Sequence, residues 1–268
     1  MPLAVCATPI GNLDDVTLRL LGELREADVV LCEDTRQTRK LLERHGLRAK
    51  LVSYHEHNEA KRAAEILPRL QAGERLALVS DAGLPAVSDP GARLIAAALE
   101  AGVPVTVLPG PSAVETALVA SGLAGERYQF IGYLPRGERA LGQLWEELAR
   151  WAHPVVAFES PRRLPASLAS LARAQPTRPV AVCRELTKRF EEVVRGTAED
   201  VAERFGEPPK GEITLVLGAA VPEGAEPEGE ALAAVAELVE VGLGRGQAAD
   251  LVSRLTRVPR NRLYRGSL

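Results

Sequence analysis

What the sequence lacks narrows its possibilities first. No apolar run in the 268 residues approaches the roughly 20 residues needed to cross a bilayer, so no membrane span is expected. The amino terminus, Met1-Pro2-Leu3-Ala4-Val5-Cys6, has no basic n-region and no small-residue cleavage site, and a cytoplasmic location is expected. Cysteine is scarce. Cys6, Cys32 and Cys183 lie far apart, each inside an apolar run, which fits neither a disulfide framework nor a zinc spacing and reads as core. Excess positive charge is also missing. At a net charge of −3 the chain offers no global attraction to phosphate, so any nucleic-acid contact must come from local basic surface. Most basic residues are arginine, a bias that a GC-rich genome or a thermophile explains as well as phosphate binding does.

Several motifs are absent too. No glycine-rich phosphate loop follows the first apolar segment, which runs instead into Ala7-Thr8-Pro9-Ile10-Gly11-Asn12-Leu13. The one close glycine cluster, Gly242, Gly244 and Gly246, has no strand before it. A dinucleotide or nucleoside-triphosphate enzyme of standard design is thereby disfavoured. His55-Glu56-His57-Asn58 lacks the i, i+4 histidine spacing of a helical metal site and has no cysteine nearby, so it reads as a polar strand end and helix cap, and no metal is expected. No Gly-x-Ser-x-Gly elbow supports a hydrolase.

What is present alternates. Short runs rich in valine and leucine are separated by amphipathic stretches, the pattern of α/β architecture with a largely parallel sheet. Strands are expected at Leu3 to Thr8, Asp28 to Cys32, Leu51 to Tyr54, Leu76 to Ser80 and Pro104 to Leu108, with helices over about 17–26, 35–45, 58–72 and 90–101. Asp89-Pro90 reads as the N-cap and first residue of the last of these helices. Beyond Gly110, strands are expected at Tyr128 to Tyr133, Pro154 to Phe158, Val180 to Cys183, Glu192 to Arg195 and Ile213 to Leu217. The short polar segment Arg184 to Glu191 favours an antiparallel hairpin, hence a mixed sheet. The expected organisation is an α/β domain over 1–110, a second over 111–220, a linker over 221–230 and a small helical appendix over 231–268.

Ligands in open α/β sheets bind outside the carboxyl ends of strands. Four polar, turn-forming segments follow strands and precede helices: Thr8 to Leu13, Cys32 to Arg36, Ser80 to Gly91 and Leu108 to Ala113. They should converge along one rim. The third holds two aspartates, two glycines and two prolines in a long rigid loop, where small residues let a ligand lie against backbone and Asp81 can accept hydrogen bonds. A well-capped turn is the alternative reading of the same residues.

These segments, with Phe158-Glu159-Ser160-Pro161-Arg162-Arg163-Leu164 and Cys183-Arg184-Glu185-Leu186-Thr187-Lys188, make the chain resemble the RsmI-type family of 16S rRNA cytidine 2′-O-methyltransferases, in the same motif order from about Ala4 to Tyr264. The resemblance implies a tetrapyrrole-methylase fold: two α/β domains with S-adenosyl-L-methionine in the cleft between them, and a helix-turn-helix-like C-terminal appendix. It further implies that Pro9, Asp81, Ala82, Gly83, Leu84, Val87 and Ser88 flank the methionine part of the cofactor, that Ser112 and Ala113 line its middle, and that Phe158, Glu159, Leu186, Ile213 and Thr214 surround ribose and adenine. The implied partners are 16S rRNA within the small ribosomal subunit and a second copy of the chain, for which the apolar stretch Val114 to Leu123 offers a face.

Methyl transfer from a sulfonium is an in-line displacement that needs alignment and removal of one proton, and its chemistry demands no metal. Glu33 and Asp34 are candidate bases or orienters, with Arg36, Arg184 and Lys188 placed to hold phosphate or stabilise a developing alkoxide. For Asp34-Thr35 a plain helix N-cap is the competing reading. Candidate RNA contacts are Arg136, Arg139, Arg162 and Arg163 around the cleft mouth and Arg257, Arg260 and Arg262 in the appendix, where Val252, Leu255, Val258 and Leu263 can form a small apolar face. Two rivals stand beside this reading: a methyltransferase of the same fold acting on a porphyrin-type macrocycle, and a non-catalytic RNA-binding protein.

Overall fold

Alternation within the first strands sorts their side chains onto two buried faces. In a computed structural model, which describes residues 2–220, 228–256 and 258–267, strands β1 (Leu3–Cys6), β2 (Val29–Cys32), β3 (Leu51–Ser53), β4 (Leu76–Val79) and β5 (Val105–Leu108) form one parallel sheet in the order β3-β2-β4-β1-β5. Leu3, Val5, Val29, Leu31, Leu76 and Leu78 point to one face, where Ile66 and Leu70 of α3 (Glu59–Gln71) and Leu94 and Ala98 of α4 (Ala92–Glu100) cover them. The intervening Ala4, Cys6, Val30, Cys32, Ala77 and Val79 point to the other, under Leu20 and Leu24 of α1 (Leu18–Glu26) and Leu41 and Leu42 of α2 (Thr35–Arg44). Burial on both sides is why these strands read as unbroken apolar runs. It also pushes the Cys6 thiol up to about 12, mainly by desolvation, so that cysteine is an inert part of the core.

The elements expected in this half are all found, with ends trimmed by one to two residues where polar strand termini turn into loops. One expectation is overturned. Asp89-Pro90 does not open α4: the helix begins at Ala92, its N-cap is Gly91 at φ 139°, and no cap side chain bonds it. Glu59 supplies the cap instead, its Oε1 accepting from Gly91 N at 3.0 Å and Arg93 N at 3.4 Å while also receiving the Tyr54 hydroxyl at 3.1 Å. A carboxylate brought from another helix satisfies the exposed N–H groups and leaves Asp89 turned elsewhere.

The second sheet runs β6-β7-β10-β8-β9, built from β6 (Gln129–Tyr133), β7 (Val155–Glu159), β8 (Pro179–Arg184), β9 (Glu192–Thr197) and β10 (Ile213–Leu217). β6 pairs β7 in parallel, the other three pairings are antiparallel, and β8 and β9 form the expected hairpin. Helix α5 (Ala113–Ser121) lays Val114, Ala117 and Leu118 on Val156, Ala181, Cys183 and Val216 of this sheet. The stretch expected to face a second copy is therefore mostly core, because its apolar side chains are needed to cover the sheet; Val119, 73% exposed, is the exception. Helix α6 (Glu138–Leu148) anchors Trp145, whose indole N–H donates to Ser170 Oγ at 3.2 Å on α7 (Leu164–Ala174), and α8 (Ala198–Arg204) closes its own start with a Thr197/Asp200 capping box.

Both sheets belong to one compact unit, Met1–Trp145 with His153–Ala219; Glu146–Ala152 and Ala220–Leu268 form a second. In the latter, α9 (Glu228–Glu240), α10 (Arg245–Thr256) and α11 (Arg260–Gly266) enclose Ala231, Val235, Ala248, Ala249, Val252, Val258 and Leu263. Leu255, expected in that apolar face, is 76% exposed; Thr256 takes the buried place in the last turn, its hydroxyl bonded to Val252 O at 2.8 Å. Most of the expected linker, 221–227, lies outside the described residues. Among the described residues no helix is long and apolar enough to cross a membrane.

The loop after β1 meets the loop between β8 and β9 at Gly11. A Cβ there would stand 2.5 Å from Lys188 Cγ, 2.7 Å from Thr187 Oγ1 and 2.8 Å from Leu186 O, and the next residue, Asn12, donates its backbone N–H to Thr187 Oγ1 at 2.9 Å. The receiving loop is already constrained, with Glu185 at φ 52° and Thr187 at φ 64°. Gly11→Ala is expected to destabilise the protein by about 1–3 kcal/mol through overpacking. Gly22→Ala, inside α1 with nothing within 4 Å of the added carbon, should stabilise it by about 0.5–1 kcal/mol. Urea unfolding of the two variants beside the parent tests the difference in sign.

Candidate active site

All four polar segments converge at the carboxyl ends of the first sheet, and specific bonds hold them there. Thr8 and Gly83 exchange backbone bonds, Thr8 N to Gly83 O at 2.9 Å and Gly83 N to Thr8 O at 3.1 Å, while the Thr8 hydroxyl donates to Ser80 O at 3.0 Å. The Asp34 backbone N–H donates to Asp81 Oδ1 at 3.0 Å, tying the loop after β2 to the loop after β4. Gly110 lies against Ala7, where an added Cβ would stand 3.0 Å from the alanine methyl. The long loop after β4 turns sharply. Ala86 and Ser88 have φ 67° and 62°, a conformation that costs a non-glycine residue about 1 kcal/mol or more and recurs at functional sites.

Facing these loops, across a cavity of about 790 Å³, are the carboxyl ends of β6 and β7 and the amino end of β10, which runs antiparallel to β7. From the first side the cavity is lined by Ala7, Ile10, Glu33, residues 81–84 and 87–89, and 109–115; from the second by Tyr128, Phe130, Tyr133, residues 158–161 and 211–214. Its size is that of a small-molecule or cofactor site. Phe158 packs edge-on against Phe130, with centroids 5.0 Å apart, and against Tyr133 at 5.5 Å. Phe130 and Tyr133 are an odd number apart and would face opposite ways in a regular strand. A break in the β6–β7 register between them, with Gly132 at φ 69°, brings both to Phe158.

Of the expected cofactor residues, Asp81, Ala82, Gly83, Leu84, Val87, Ser88, Ser112, Ala113, Phe158, Glu159, Ile213 and Thr214 line the cavity. Pro9 and Leu186 are not in its wall; they belong to the two loops that close on each other at Gly11. Glu159 is engaged within the protein. Its Oε1 accepts from Ser160 N at 2.6 Å and pairs with Arg163, and its Oε2 accepts from Ser167 Oγ. The Ser112 hydroxyl bonds Glu115 instead of capping α5, and the Tyr128 hydroxyl reaches the same carboxylate at 2.6 Å.

The expected catalytic residues separate. Glu33 lines the cavity, its pKa raised by burial and then by Asp81. Asp34 does not. It caps α2 through Arg36 N at 2.8 Å and holds the Arg36 guanidinium at 2.6 Å, and these bonds pull its pKa down to about 2, so the helix-cap reading describes it and it is a poor proton acceptor. Arg184 is bonded to Glu192 at 3.1 Å and to Lys210 O at 3.2 Å; Lys188 bridges Glu185 at 2.9 Å and Glu212 at 2.6 Å. None of Arg36, Arg184 and Lys188 is in the cavity wall. Arg136, Arg139 and Arg162 are exposed, whereas Arg163 turns inward to Glu159, Ser160 Oγ and the carbonyls of Leu134 and Pro135. In the second unit, Arg260 and Arg262 are exposed on α11, and Arg257 lies outside the described residues. Asp89, Glu115, Tyr128, Phe130, Tyr133 and Glu212 also line the cavity and were not singled out from sequence; only the spacing of aromatics around Gly132 could have hinted at the role of β6.

Residues 2–202 match the family model of the Tetrapyrrole (Corrin/Porphyrin) Methylases. A protein of Synechocystis sp. named ribosomal RNA small subunit methyltransferase I is 42% identical over 270 residues, covering 99% of this chain and 97% of that one. Another of the same name from Halalkalibacterium halodurans is 46% identical over 216 residues, 80% of this chain and 75% of its own. Among solved structures, the methyltransferase CobJ superposes with a TM-score of 0.63 at 21% identity, over 81% of this chain and 94% of that one. The uroporphyrin-III C-methyltransferase of Thermus thermophilus complexed with S-adenyl homocysteine gives 0.56 at 23%, over 81% and 96%. With two sheets meeting over one cavity and a full-length likeness of this order, the chain belongs to the tetrapyrrole methylases, in the family of the ribosomal RNA small subunit methyltransferases I.

Proposed function

We propose that this protein transfers a methyl group from S-adenosyl-L-methionine to the ribose 2′-hydroxyl of a cytidine in the decoding centre of 16S rRNA, acting on the small ribosomal subunit. The observation that carries this reading is the near full-length likeness to ribosomal RNA small subunit methyltransferase I. The cavity fits the cofactor on its own chemistry. Its wall carries carboxylates and, among the lining residues, no lysine, arginine or histidine, which suits a ligand bearing a sulfonium and an ammonium. When bound, the cofactor supplies an electrophilic methyl on a leaving group already activated by its positive charge. Asp81 is placed to accept from the ammonium, the backbone at Ala82 and Gly83 offers close approach, and the start of α5 at Ser112 and Ala113 presents backbone N–H groups to a carboxylate. Ile213, Thr214 and Phe158 supply an apolar wall for the nucleoside.

The exposed Arg136, Arg139 and Arg162, with Arg260 and Arg262 on α11, are proposed to hold RNA phosphates, where guanidinium forks bind well. The basic run from Arg254 onward contains no acidic residue, and Asp250 pairs with it, 3.2 Å from Arg254 and 3.9 Å from Arg260. A homodimer is proposed on the family resemblance.

The reading is tested by incubating small subunits that lack the modification, or a reduced tetrapyrrole, with labelled cofactor and mapping the methylated product. Label in a ribose 2′-O-methyl cytidine is expected; label in the macrocycle, or none, overturns it. Asp81→Ala should weaken cofactor binding at least tenfold in a calorimetric titration, about 1.4 kcal/mol, with the fold retained; unchanged affinity removes Asp81 from the site. Replacing Arg260 and Arg262 by glutamine should lower small-subunit affinity and flatten its dependence on salt, since each phosphate contact contributes about one unit of slope. Identical salt slopes for parent and variant place docking elsewhere. Light scattering should give twice 28.7 kDa at micromolar concentration.

A further inference from the structure

Six carboxylates line the cavity, and three of them are already engaged. Glu115 holds Ser112 and Tyr128, Glu159 holds Arg163 and two serines, and Glu212 holds Lys188. Glu33, Asp81 and Asp89 remain, on the loops that follow β2 and β4, and among the described residues none of them has an ion-pair partner within 4.0 Å. Asp81 accepts the Asp34 N–H. Asp89 is the odd one. A sequence Asp-Pro at this place would ordinarily cap α4, yet Glu59 does the capping, and two non-glycine residues at positive φ, Ala86 and Ser88, with Gly91 at φ 139°, bend the chain so that Asp89 faces the cavity. Such a displaced cap beside local strain is the mark of a side chain held for use.

We propose that Asp89 accepts the proton of the ribose 2′-hydroxyl during methyl transfer, with Glu33 and Asp81 beside it in the cavity wall as positioning residues; the proposal rests on the function proposed above. The 2′-hydroxyl gives its proton to a carboxylate oxygen of Asp89 while its oxygen forms the new bond to the methyl carbon, and the electron pair of the broken carbon–sulfur bond stays on sulfur. The step conserves charge inside the cavity: one positive charge vanishes at sulfur and one negative charge vanishes at Asp89. The three carboxylates without an ion-pair partner need this balance, because losing the sulfonium alone would leave them uncompensated.

The surroundings agree. Burial, then Glu33, then Asp81 push the Asp89 carboxyl up to about 7, against a hydrogen bond from the Ser80 hydroxyl that pulls the other way, and at that value a base is both ionised and able to hold a proton. Tyr133 faces it from the second sheet, its own phenol pushed up by burial and by Asp89; His55, Asp34 and Glu56 act on Glu33, and Asp34 and Arg36 on Asp81. Asp89 holds its proton more tightly folded than unfolded, so its contribution to stability is present at low pH and is lost as pH rises towards 7.

The experiment is single-turnover methylation of unmodified small subunits from pH 5.5 to 8.5 by the parent, D89N and E33Q, with thermal melting of each protein without cofactor over the same range. The parent rate should rise with pH through a single ionisation. D89N should fall by about 10²–10⁴-fold and lose that rise, and its melting temperature should gain on the parent as pH increases. E33Q should keep the rise but move its midpoint to lower pH. A D89N rate within threefold of the parent, or a melting difference that does not change with pH, overturns the proposal. If D89N does not fold, an unshifted midpoint in E33Q overturns it as well. A parent that methylates no small subunit overturns the proposed function and this step together, whereas an active parent with an unchanged D89N overturns this step alone.

Discussion

The paired backbone bonds between Thr8 and Gly83 fix the site, because they join the loops that leave two adjacent interior strands, β1 and β4. Strands buried on both faces leave their loops nowhere to go but the sheet's end, and polar backbone there must find partners. Thr8 and Gly83 satisfy each other, Asp81 then reaches back to Asp34, and Gly110 closes on Ala7. The cavity floor follows from this chain of short-range demands. Gly11 makes a second junction outside the cavity wall, since only a residue without a side chain lets the loop after β1 touch Thr187 and Lys188.

Charge is segregated rather than balanced overall. Inside the cavity lie carboxylates, three of them engaged by neighbouring side chains and three left to act on one another, while Arg136, Arg139 and Arg162 sit on exposed surface. A net charge near −3 hides this arrangement. An enzyme that must hold a cationic small molecule next to a polyanion needs opposite fields within a short distance, and side chains on different loops can supply both. Several arginines do neither job. Arg163 is locked to Glu159, and Arg184 to Glu192, so a basic side chain in a motif is as often a brace as a ligand.

The sequence by itself determined the elements and their class. Periodicity and strand-end polarity placed the ten strands to within about two residues, the β8–β9 hairpin was legible in a short polar segment, and the motif order identified the family. Most of the residues expected around a cofactor do line one cavity, and those on the first sheet share a side because strand ends in a parallel sheet necessarily share a rim. What only the tertiary structure decided is which polar side chain does what. Asp89 reads locally as a helix cap until Glu59, thirty residues earlier, takes that task; Asp34 reads as a base until Arg36 and the α2 amides claim it. Phe130 and Tyr133 share a face only because the strand breaks register at Gly132, and Val114 to Leu118 covers a sheet rather than a second copy. For Asp89 and for Val114 to Leu118 local sequence fixes what a residue is able to bond, while the competing partner arrives from a distant part of the chain; for Asp34 both readings were local, and only the folded geometry chose between them.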